Sequence, residues 1–206
     1  MEPLADPQPG RRTGRPLSFD RDAALSQAML TFWRHGYETT SIADLTAAMR
    51  VTAPSIYTAF GDKRQLFLEA ARRYAGDPEA IAAAISSAPT AYDAARAMLI
   101  SAAILYTGDD TPPGCLLASA TASGSAASRD VQIAIADIRR AITAHMRDRI
   151  DRDIATGTLP PGTDAAALAG LVMTIAQGMS VLARDGTPRA SLMSIVEIGL
   201  KAWPHV

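Results

Sequence analysis

Residues 39–67, TTSIADLTAAMRVTAPSIYTAFGDKRQLF, constrain the fold more than any other stretch of the chain. Ile42, Leu45 and Met49 recur at helical spacing in the first part, and Val51, Ile56 and Phe60 lie so as to lock the second part against them. The connection between the two parts leaves room only for a tight turn. Ser41 precedes Asp44 by capping-box spacing, and Thr52 is placed to cap a helix over residues 53–60. Pro54 falls in that helix's first turn, where a missing N–H has no helical partner to lose. Gly61 ends it, and Asp62 is placed to cap a further helix with the stripe Phe67, Ala70, Ala71 and Tyr74.

Upstream, Leu25, Ala28, Met29, Phe32 and Trp33 form one face of a helix, with Ser18 or Asp20 as its cap and Gly36 at its end. Residues 1–17 are rich in Pro, Gly and Arg and read as a disordered basic arm. Beyond Gly76-Asp77-Pro78, helices are expected near 79–87, 90–107, 115–123, 128–156, 164–184 and 188–202, separated by Gly- and Pro-rich breaks.

Composition narrows the function classes. Hydrophobic residues at 48% and charged residues at 20% permit a sizeable core in a globular chain. The net charge of -1 divides mildly, +2 over residues 1–76 and -3 over the rest, so charge alone says little about nucleic acid. The single cysteine, Cys115, excludes an intrachain disulfide and fits a cytoplasmic chain. One cysteine and three scattered histidines (His35, His145, His205) cannot build a Cys/His metal site, and no metal or cofactor is expected. No secretory signal or membrane span is expected. Without a Ser/His/Asp spacing, a Gly-rich phosphate loop or a carboxylate–histidine metal motif, the chain does not read as an enzyme.

The pattern Thr40-Ser41-Ile42-x-x-Leu45, Val51-Thr52, Ser55-Ile56-Tyr57, Phe60 and Lys63 resembles the signature of TetR/AcrR-family transcriptional regulators, and Gly36-Tyr37 agrees with it. The resemblance covers residues 20–70 and implies an all-α fold. Residues 18–62 would form a three-helix helix-turn-helix DNA-binding domain, and residues 63–206 a helical ligand-binding and dimerisation domain. It assigns Ser41, Tyr57 and Lys63 to phosphates and Thr52 through Tyr57 to the recognition helix; with Ala53, Pro54 and Ser55 on its outer face, Thr58 and Thr40 are expected at the DNA as well. Arg15, with Arg11 and Arg12, would reach an adjacent minor groove. Where the family commonly has glycine in the turn, this chain has Arg50, at a cost of about 1 kcal/mol if φ is positive.

The partners expected are double-stranded DNA with a palindromic operator, a second copy of the chain and a small-molecule effector. The last two helices carry wide apolar stripes suited to a homodimer, including Leu171, Ile175, Met179, Leu192, Ile195, Val196 and Gly199. The middle helices would enclose a cavity for a small, mostly apolar ligand, lined by Tyr92, Met98, Tyr106 and Cys115. Ligand would release a repressor from its operator. A sensing role for Cys115 competes with its reading as a small core residue.

Overall fold

The computed structural model describes residues 19–119 and 128–204, and every regular element among them is a helix. The arm with Arg11, Arg12 and Arg15, the alternative cap Ser18, expected helical residues 120–123, and His205 lie outside the described residues. The elements are α1 Arg21–His35, α2 Ile42–Met49, α3 Ala53–Phe60, α4 Lys63–Ala75, α5 Pro78–Ser87, α6 Ala91–Tyr106, α7 Leu116–Ser119, α8 Arg129–Ala155, α9 Ala165–Arg184 and α10 Arg189–Leu200.

Local chemistry sets most of these boundaries. Asp20, Ser41, Thr52, Asp62, Asp77, Thr90 and Asp164 each accept a backbone N–H at the start of a helix, satisfying donors that have no partner inside it. Gly36, Gly61 and Gly76 follow α1, α3 and α4 with φ of 85, 81 and 82°, a region open to glycine without a Cβ penalty.

The head is α1–α3, closed by the first turns of α4. Phe32 meets Phe67 edge-on at 5.0 Å, and Leu45, Ile56 and Leu66 are fully buried around them. The body is α5–α10. In it α9 packs against both α6 and α8, and α10 closes over α6.

By length and composition α9 could cross a membrane, with a mean hydropathy of 1.7. Its apolarity serves two faces. Leu168, Val172, Ala176 and Met179 are buried in the body, while Leu171, Val181 and Leu182 are exposed.

A buried ion pair fixes the α5–α6 corner. Arg149 on α8 pairs with Asp153, and it donates to the carbonyls of Ala88 at 3.2 Å and Pro89 at 2.8 Å. Asp153 in turn accepts from the Ala91 N–H at 2.6 Å.

Candidate nucleic-acid interface

The turn between α2 and α3 is built around Arg50, the one non-glycine residue with positive φ among those described (φ 54°, ψ 42°). The glycine place is therefore occupied by a strained arginine. Its side chain is exposed.

Ser41 caps α2 reciprocally. Its Oγ accepts from the Asp44 N–H at 3.1 Å, and Asp44 Oδ2 accepts from the Ser41 N–H at 2.8 Å and its hydroxyl at 2.7 Å. These donors hold the Asp44 carboxyl below its ordinary value, because they favour its ionised form.

Helix α3 is anchored on one face and free on the other. Ile56 and Phe60 are buried, whereas Tyr57 is 52% exposed and Pro54 and Thr58 are exposed with it. Thr52 Oγ1 accepts the Ser55 N–H at 3.4 Å and lies 2.9 Å from the Ser55 hydroxyl. Thr58 donates to the Pro54 carbonyl at 2.8 Å. The outer face thus presents a small, rigid row of Ala53, Pro54, Tyr57 and Thr58, with hydroxyls at its N-terminal end. A short helix so held has the shape and the positive N-terminal dipole to enter a major groove.

Two expected contacts are placed differently. Thr40 is 1% exposed and donates to the Gly36 carbonyl at 2.6 Å, so its side chain closes the α1–α2 loop and does not face outward. Lys63 folds inward: its Nζ donates to the Glu38 carbonyl at 3.3 Å and lies 4.7 Å from the Tyr37 ring centroid. Burial pulls its pKa below the ordinary lysine value.

Arg21 is the principal structural residue that sequence reasoning missed. It bonds both carboxylate oxygens of Glu69, at 2.6 and 2.8 Å, reaches the Ala59 carbonyl at 3.2 Å and covers the Phe60 ring. It thereby ties α1 to the end of α3 and to α4. Its partner lies 48 residues away, beyond any local pattern.

The residues expected to share one ligand cavity do not do so. Tyr92 packs edge-on to Trp203 with centroids 5.9 Å apart, and Met98 packs against the core. Tyr106 and Cys115 are buried near Tyr74, and burial pushes both phenols well above their ordinary values. A cleft of about 390 Å³ opens between the α4–α5 corner and α8, lined by Ala75, Pro78, Ile81, Ile138 and Ile142 together with Arg72, Asp137 and His145.

The expected dimer face also needs correction. Met179, Leu192 and Val196 are buried inside the protomer, because these helices close the body's own core. Gly199 lets α10 approach α9 so closely that an added Cβ would lie 2.7 Å from Ile175 Cδ1. Leu171, Val181, Leu182 and Ile198 remain exposed, with half-buried Ile195 near them.

A helix-turn-helix head with an anchored, outward-facing second helix, carried on a helical body, defines a DNA-binding regulator. Comparison with known proteins agrees. Residues 24–70 match the family described as bacterial regulatory proteins, tetR family, and residues 93–194 match the tetracyclin repressor-like C-terminal domain. The chain is 35% identical over 195 residues to the HTH-type transcriptional repressor ComR of Escherichia coli (strain K12), covering 94% of this chain and 93% of that protein. A structure of a cysteine-substituted TetR family regulator CifR, complexed with 26-bp double-strand operator DNA, is similar at a TM-score of 0.86 and 40% identity. That match covers 93% of this chain and 100% of that one. A putative TetR regulator from Rhodococcus is 36% identical with a TM-score of 0.62, covering 91% and 100% respectively. The chain belongs to the TetR family of DNA-binding transcriptional regulators.

Proposed function

We propose that this protein is a cytoplasmic homodimeric repressor, binding a palindromic operator and released from it by a small, mostly apolar ligand. The observation that carries the DNA-binding part is the exposed row Pro54, Tyr57 and Thr58 on a helix pinned by Ile56 and Phe60. The backbone N–H groups near Ser41 and Thr52 and the Tyr57 hydroxyl serve phosphates. Ala53, Pro54 and Ser55 approach base edges, where methyl contacts and DNA shape dominate the readout. The relative named as a repressor, ComR, supports the sign of regulation.

The exposed stripe of Leu171, Val181, Leu182 and Ile198 supports pairing of α9 and α10 across a two-fold axis. Two heads then read two half-sites about 34–36 Å apart. The effector site is the cleft between α4 and α8, whose volume suits a small molecule and whose walls are largely aliphatic. Because α4 leads directly from α3, a ligand that favours a different α4–α8 spacing shifts the population of head positions.

The test is binding to duplexes recovered by selection from random DNA, followed by fluorescence anisotropy with Tyr57→Phe. Wild-type protein is expected to select an inverted repeat, and the variant to lose about fivefold to tenfold in affinity with an unchanged melting temperature. Selection that recovers no inverted repeat would overturn the dimeric-operator reading.

A further inference from the structure

The head meets the body at a small junction formed by residues 107–115, the connection from α6 to α7. The Gly114 N–H donates to the Tyr106 carbonyl at 2.9 Å, and the Gly114 carbonyl accepts from Trp33 Nε1 at 3.2 Å. The next residue turns the other way, with the Cys115 N–H donating to Ser180 Oγ on α9 at 2.8 Å. From the last turn of α9, Arg184 reaches the head directly. Its guanidinium donates to the Trp33 carbonyl at 3.1 Å, at the C-terminal end of α1, where carbonyls lack helical partners and the dipole favours a cation.

The junction is tight. Gly114 has φ 80°, and a Cβ there would lie 2.7 Å from the Ser180 carbonyl oxygen and 2.8 Å from Arg184 Nε. The Trp33 ring meets Tyr74 of α4 edge-on at 4.8 Å. Head and body are also joined by Arg64–Asp130 at 3.6 Å, with both side chains substantially exposed, a kind of pair that contributes little. Besides α4, which packs against α7 and α8, a second connection runs from α1 through Trp33 to Gly114 and Arg184. It ends on the helix that carries the exposed apolar stripe.

We infer that Arg184 and Gly114 are positioning residues for operator recognition: they fix the head's angle to α9, and thereby the half-site spacing that the dimer accepts. The inference rests on the dimeric-operator reading above. A small rotation of α1 at this junction moves α3 with it, because Arg21 of α1 holds the Ala59 carbonyl and covers the Phe60 ring. Loosening it lets the two recognition helices sample several separations, so affinity falls at the preferred spacing and discrimination between spacings falls with it.

The experiment uses the full chain and the inverted repeat selected by wild-type protein, rebuilt with its central spacer shortened or lengthened by one and two base pairs. Wild-type protein is expected to bind one spacer at least tenfold better than those two base pairs away. Arg184→Ala should lose about tenfold at that spacer and flatten the profile to within about threefold, while melting temperature and dimer mass stay at wild-type values. Trp33→Phe keeps an aromatic ring but removes the bond to Gly114, and should flatten the profile in the same direction. Arg184→Lys keeps the cation and should recover part of the discrimination. Spacing profiles of Arg184→Ala and Trp33→Phe that overlay wild type would overturn the positioning role and leave the operator reading standing. A wild-type protein that selects no inverted repeat would overturn both.

Discussion

The head and the body are held together by differently wired polar groups. In the head the hydroxyls and carboxylates mostly act within one helical turn: Ser41 with Asp44, Thr52 with Ser55, Thr58 with Pro54, Thr40 with Gly36, with Arg21 to Glu69 as the long-range exception. In the body, arginines reach across the chain: Arg149 to Ala88 and Pro89, Arg152 to Ser86, Arg189 to Thr107. Local bonds shape short helices that a groove can accept, and each can be lost without dismantling its neighbours. Long-range bonds hold helix pairs at fixed separations, so each carries more of the structure.

The difference can be broken most forcefully at the α5–α6 corner. Arg149→Ala leaves Asp153 buried without its cation and should cost about 3–5 kcal/mol in thermal or denaturant unfolding. A loss under about 1 kcal/mol would show the corner to be held no more firmly than a local cap. The corresponding cut in the head, Ser41→Ala, removes one half of a reciprocal cap and should cost about 1 kcal/mol. A fold that collapses on this change would show the head to be wired like the body.

Arg50→Gly sharpens the contrast further, because strain at this turn is local. Glycine relieves the positive φ and should stabilise the protein by up to about 1 kcal/mol. Removing the exposed cation should at the same time weaken DNA binding and reduce the slope of log affinity against log salt by about one. An unchanged salt slope would place Arg50 away from phosphate.

The smallest effect expected is with pH. Asp44 has a lowered pKa in the folded head, so its contribution is complete above the ordinary carboxylate value of 3.8 and is lost as pH falls through the lowered folded value. Asp44→Asn should flatten that acid limb of the unfolding curve. An identical acid limb in the variant would assign the acid sensitivity to other carboxylates.

The same wiring explains what could be read from sequence. The caps at Asp20, Ser41, Thr52 and Asp62, the stops at Gly36 and Gly61, and the buried faces of α1–α3 all follow from neighbours within a turn or two. The family pattern marks Arg50 as the place where either the turn differs or an arginine accepts strain, and only the folded turn, with φ 54°, decides for strain. Thr40 and Lys63 fit the motif, yet their side chains turn to the Gly36 and Glu38 carbonyls, which only the folded loop brings near. In the body, periodicity located the helices but not the direction of their faces. A stripe such as that of α9 and α10 is wide enough to serve two partners, and packing alone decided that Met179, Leu192 and Val196 point inward. The cleft escaped notice for the same reason, since Ile81 and Ile142 become its walls only when α5 and α8 meet.

Trp33 is one of two tryptophans in the chain, and it stands at the joint between head and body, while Trp203 packs against Tyr92 at the other end of the body. The protein therefore carries its own optical gauge. In a Trp203→Phe background, the emission of the remaining indole reports the environment of the joint without any added dye. Titrating that protein with DNA or with small molecules would read the state of the joint in real time, under the same conditions as binding.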